Sequence, residues 1–161
     1  MPLPADSYQV GVSFTGDDYY RPCATQQDVV VTVAAAAAKV TGGGWISITT
    51  GRTNFGFNLI PQAGATYKGQ FQLVSTNSKS KFHGSGAAIL RNATSTAANW
   101  SGTGSWNGSS GYTYSLGVVD NGSSGGRKGD TVTITITSPS GSVVYSTGGS
   151  QVLKGGNITV H

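Results

Sequence analysis

Three groups of residues in this chain have types and spacing that can do chemistry. The first is aromatic: Trp100, Trp106, Tyr112 and Tyr114 lie close together. Indole and phenol faces offer flat apolar surface with a polar tip, the usual partner of a sugar ring, so Trp100, Trp106 and Tyr112 are candidate ligand-binding residues. The alternative is that the indoles pack over the alternating glycines Gly102 and Gly104. The second group is acidic. Asp120, Asn121 and Asp130 bracket one loop, and Ca²⁺ takes its ligands from such carboxylate, amide and backbone oxygens. Against that stands an Asx-type turn at Asp120-Asn-Gly, with Asp130 capping a hairpin corner. Asp17-Asp18 is a second acidic pair, placed where a solvated loop ends a strand. The third group is Gly122-Ser-Ser124-Gly-Gly126, a G-x-S-x-G pattern followed by Asp130 and His161 in hydrolase order. A nucleophile elbow needs a helix after the serine, whereas Thr131 to Thr137 reads as a strand, so no catalytic residue is assigned.

Other reactive side chains are isolated. His83 has no second His, Cys or Glu nearby, and Cys23 has no identifiable base to make it a nucleophile. Without paired carboxylates, a His-centred base or a cofactor fingerprint, the sequence reads as a non-enzyme needing no cofactor. Ten Lys plus Arg against six Asp give a net charge of +4, but the basic residues are scattered. A nucleic-acid surface concentrates them on one face. The lone cysteine excludes an internal disulfide framework, and no apolar run is long enough to span a bilayer.

The elements that must position these groups are strands. Twenty-five glycines, many Ser and Thr, and no Glu at all remove much of what surface helices are built from. Tyr8-Gln-Val10-Gly-Val12-Ser-Phe14 alternates with period 2, as a half-buried strand does. Asp28 to Val33 is a continuous apolar run, and the alanines from Ala34 to Ala38 are too few for a stable helix and read as a connector. Beyond Lys39 about nine further strands recur. Phe55-Gly-Phe57-Asn-Leu59, Tyr67 with Phe71 and Leu73, and Tyr112 to Val118 all alternate. Thr131 to Thr137 is the cleanest, and it must turn Val132, Ile134 and Ile136 to the core. Turn chemistry at Pro61 to Gly64, Asn107-Gly108, Asn121-Gly122 and Pro139 to Gly141 separates these runs. The expected fold is all-β: a β-sandwich or jelly-roll-like antiparallel domain over residues 39–161, preceded by a partial strand pair and Ala-rich connector over residues 1–38.

Two resemblances follow from these residues. Tyr8, Val10, Val12, Phe14, Gly16-Asp17, Tyr20 and Pro22, followed by a valine strand, resemble the last two strands of a bacterial immunoglobulin-like repeat. Such a domain needs roughly 80 to 100 residues, so residues 1–36 are expected to be part of one. Thr41-Gly-Gly-Gly-Trp45, Gly51-Arg52, Phe55-Gly56-Phe57, Lys68-Gly69-Gln70, Asp120-Asn-Gly122, Gly129-Asp130-Thr131 and Gly155 to His161 are similar to a C-terminal domain of bacterial secreted and surface proteins. That domain follows choice-of-anchor or Ig-like modules. The resemblance implies a secreted or cell-surface setting, with other domains of the same protein or copies of itself as partners. It carries no assigned activity.

Met1-Pro-Leu-Pro4 has neither the basic nor the apolar region of a signal peptide, which places any export signal in a longer parent or before processing. The expected function is therefore a structural or assembly module that self-associates by strand pairing. The alternative is a carbohydrate- or ligand-binding module on the same scaffold.

Overall fold

The computed structural model describes residues 6–31, 39–49, 51–63, 66–122 and 129–161. The connector alanines and Ser124 of the G-x-S-x-G pattern lie outside the described residues. The chain divides into two compact units, Met1–Ala34 and Ala35–His161.

The first unit is a two-stranded antiparallel ribbon. Strand β1 (Asp6–Phe14) pairs with β2 (Cys23–Val31) over nine positions, from Asp6 opposite Val31 to Phe14 opposite Cys23. Asp17 organises the intervening loop. Its carboxylate accepts the N–H groups of Tyr19 and Tyr20 at 2.9 and 2.7 Å, an Asx-type turn.

The second unit is one ten-stranded antiparallel sheet. Its first seven strands form a meander: β3 (Val40–Ile48), β4 (Gly51–Pro61), β5 (Tyr67–Ser75), β6 (Ser80–Ala93), β7 (Ala97–Trp106), β8 (Ser109–Val119) and β9 (Thr131–Thr137). Short strands β10 (Val143–Ser146) and β11 (Gln151–Val152) both pair with β9, and β12 (Gly155–Val160) pairs with β3 at the far end. The turns follow residue chemistry. Asn107 and Gly108 join β7 to β8 with φ of 50° and 88°, the left-handed conformations that a tight hairpin demands and Asn-Gly supplies.

The sheet is rolled over on itself. Strands β4 and β10 are six neighbours apart, roughly 29 Å across a flat sheet at about 4.8 Å per strand. Yet the Tyr145 hydroxyl on β10 donates to Thr53 Oγ1 on β4 at 2.9 Å. The two facing layers of a sandwich are thus two halves of a single sheet. Alternation sets which side chains fill the space between them: Phe55, Phe57 and Leu59 from β4, Phe71 and Leu73 from β5, Leu116 and Val118 from β8, and Val132, Ile134 and Ile136 from β9 are all buried.

One aromatic cluster dominates this interior. The Tyr114 ring lies 5.1 Å from Phe71 and 5.6 Å from Phe82, centroid to centroid. It occupies space left by inward-facing Gly69, Gly84 and Gly102, where an added Cβ would come within 3.1 Å of the Tyr114 side chain. Large and small residues on neighbouring strands are matched, as dense packing requires. Burial raises the Tyr114 phenol above its ordinary pKa, an effect partly offset by the neighbouring Trp100 indole.

The seam of the roll is closed by carboxylates. Asp130 is buried, and its two oxygens accept the N–H groups of Asn121 and Ile158, each at 3.0 Å. Asp120 accepts the N–H groups of Gly122 at 3.0 Å and Val160 at 3.2 Å. Both aspartates thereby tie the loop between β8 and β9 to the outer edge of β12. Backbone amides that would otherwise be unpaired on an edge strand are satisfied by charge-assisted bonds.

Candidate functional site

The residues singled out by type and spacing occupy three different environments. Trp100 is fully buried, its ring set edge-on against Phe57 at 5.2 Å. It has no face to offer a sugar, which corrects its expected role: on β7 its position points inward, and Gly102 beside it makes room for Tyr114 rather than for an exposed indole. Its indole N–H is buried without a hydrogen-bond partner of normal geometry. Trp106 and Tyr112 are half-buried and pack against the core, Trp106 lying 6.3 Å from the Tyr145 ring. Sequence proximity had suggested one aromatic platform, but the alternation of the strands and the roll of the sheet turn these rings to the interior wall.

Asp120, Asn121 and Asp130 do come together. Each of the four carboxylate oxygens accepts a backbone N–H, and the Asn121 side-chain amide donates to the Gly129 carbonyl at 2.6 Å. This is the arrangement of a turn and a strand seam, and the oxygens point at amides rather than at one common centre. Among the described residues no three His, Cys, Asp or Glu side chains gather as a metal-binding group. His83 is exposed on the outer face of β6, while Cys23 is exposed at the start of β2.

Two features outside those groups stand out. The first is the ribbon. Neither edge of β1–β2 pairs with a third strand among the described residues, and Val12, Phe14, Tyr19 and Tyr20 are 63%, 42%, 90% and 69% exposed. A two-stranded ribbon cannot bury an apolar face by itself.

The second is a trough of about 470 Å³ over strands β4 and β5. Its outward-facing rim and floor are Asn54, Gly56 and Asn58 from β4 and Gln70, Gln72 and Val74 from β5. The strands are in register so that Gly43, Gly56, Gln72, His83 and Ser105 form one row running across β3 to β7. A smaller depression of about 230 Å³ continues along this row, sharing Gln72 and Val74 and adding Lys81, His83 and Ser105. The Asn58 amide donates to Gln70 Oε1 at 3.1 Å. At one corner the Arg52 guanidinium lies 4.4 Å over the Trp45 ring, and Arg52 Nε donates to Asn54 Oδ1 at 3.1 Å. In the sequence, Phe55-Gly-Phe57 reads only as a strand. The signal for the trough is the outward row itself, Asn-x-Gly-x-Asn opposite Gln-x-Gln.

No family model, curated protein or solved structure matches this chain.

Proposed function

We propose that this chain is a non-catalytic structural and assembly module of a bacterial secreted or cell-surface protein, and that it self-associates through its ribbon. The observation that carries this reading is the β1–β2 ribbon itself: nine paired positions, two edges that pair with no third strand among the described residues, and exposed Val12, Phe14, Tyr19 and Tyr20. Open edges of that length are templates for further strands.

The occupant we assign is the ribbon of a second copy. The rolled sheet offers little to pair with: its β12 edge is tied down by Asp120 and Asp130, and β10 and β11 are four and two residues long. Another ribbon presents a nine-residue edge of matching length and brings its own exposed apolar residues. The Ig-like pattern of residues 8–22 and the domain-like pattern of residues 41–161 support the surface-protein setting.

Multi-angle light scattering on the full chain and on a chain lacking residues 1–36 tests the proposal. The full chain is expected to be a dimer or larger, and the shortened one a folded monomer with the same melting temperature. A full-length chain that stays monomeric across the concentration range, and is indifferent to the deletion, would remove it.

A further inference from the structure

Gly56 is a glycine without a structural reason. Most strand glycines of the rolled sheet are required by their surroundings: a Cβ at Gly42, Gly69, Gly84, Gly102 or Gly104 would press within 3.0 Å of a neighbouring atom. At Gly56 the nearest atom to an added Cβ is the Gly42 carbonyl oxygen at 4.0 Å, and the backbone has no positive φ. Glycine inside a strand is less favourable than alanine, because it gives up more backbone freedom and packs no side chain. Here neither packing nor backbone geometry compensates, and what the missing side chain creates is the floor of the trough.

The walls indicate what would fill it. Asn54, Asn58, Gln70 and Gln72 are neutral amides, each able to donate and accept. The two depressions together cross three strand spacings from β4 to β7, roughly 14 Å, enough for a few units of an extended polymer. β4 and β5 are interior strands whose main-chain groups are already paired, so a peptide has no edge at which to add as a strand. The deeper part is lined by no Lys or Arg to neutralise phosphates; of the cations beside it, Arg52 is engaged by Asn54 and the Trp45 ring, and Lys81 lines only the adjoining depression. Paired donors and acceptors on a neutral wall match the hydroxyls of a sugar chain.

We propose that the Gly56 trough binds a segment of neutral polysaccharide lying across strands β4 to β7, held by Gln72 and the Asn58–Gln70 amide pair. This site is separate from the ribbon and does not depend on self-association.

The test is an array of neutral and acidic polysaccharides, with a random-peptide array as counter-probe, using the full chain and two variants. Gln72→Ala removes one amide wall. Gly56→Thr fills the floor at a position where a β-branched residue fits the strand. The expected result is binding to a neutral polysaccharide, weakened about tenfold or more in both variants, through lost hydrogen bonds in Gln72→Ala and through the filled floor in Gly56→Thr, with the melting temperature of Gly56→Thr equal to or above that of the parent. Absence of any polysaccharide signal overturns the proposal. So does a signal that both variants retain, or one confined to acidic polysaccharides or peptides.

Discussion

The Tyr145 hydroxyl and Thr53 Oγ1 meet at 2.9 Å in the buried interior, although the two residues are 92 positions apart in sequence and six strands apart in the sheet. This single bond reports that the sheet has rolled. Thr53 is fully buried and Tyr145 nearly so. Tyr145→Phe should therefore cost about 1–3 kcal/mol, because it strands a buried threonine hydroxyl. Thr53→Val made on top of it should recover part of the loss, since both partners are then apolar. Chemical denaturation of the two single variants and the double variant measures the coupling, and strictly additive losses would contradict the contact.

Alkaline pH should loosen the same interior. Burial raises the phenol pKa of both Tyr114 and Tyr145 above the ordinary value of 10.0, with the Trp100 and Thr53 contacts pulling back. The folded state thus favours the neutral phenols. That stabilisation is complete below the ordinary value and is lost as pH rises through the raised folded values, because only the unfolded chain ionises readily. Melting temperature followed from about pH 9 to about pH 11.5 should fall, and fall less steeply in Tyr145→Phe. A flat profile would argue against burial of these phenols.

The carboxylate seam predicts unequal losses at two aspartates. Asp130→Ala leaves the Ile158 N–H without a partner in a buried setting and releases the part-buried Asn121 N–H, and should cost about 2–4 kcal/mol. Asp120→Ala acts nearer solvent and should cost about 1 kcal/mol. Calcium or a chelator should leave the melting temperature of the parent unchanged, since the four oxygens are already engaged by amides. A clear shift upward with calcium would restore the metal reading of this loop.

Two glycines in neighbouring parts of the sheet should respond to alanine with opposite signs. At Gly102 an added Cβ would lie 2.7 Å from the Tyr114 ring and hydroxyl, an overpacking that should cost about 1–3 kcal/mol. At Gly56 the same change meets open space and should stabilise by roughly 0.5–1 kcal/mol. Urea denaturation of both variants decides the sign in each case.

Local chemistry made much of this fold legible in the sequence. Val132, Ile134 and Ile136 point inward because an alternating strand has no other way to bury them, and Asn107-Gly108 turns because those residues accept positive φ. What was not legible depends on partners far along the chain. Nothing near Trp100 says whether its indole faces in or out until β7 is in register with β8 and Tyr114 claims the space over Gly102. The oxygens of Asp130 are directed by the amide of Ile158, 28 residues away. The trough needed no distant partner. Its outward Asn, Gly and Gln positions were readable from alternation alone, but glycine between two phenylalanines reads as packing until the space around it is seen.

Self-association through the ribbon is most directly measured at Cys23, the sole cysteine and an exposed one. A spin label there reports the distance between copies without further mutation. If two ribbons pair antiparallel along β2 in full register, Cys23 of each copy lies opposite Val31 of the other. The labels then sit about 27 Å apart, eight residues at about 3.4 Å each. Pairing along β1 adds three strand spacings sideways and gives about 31 Å. Pulsed dipolar spectroscopy on the full chain should show a distance of about 25–35 Å. A signal with no inter-copy dipolar coupling, at concentrations where light scattering is also measured, would contradict the account.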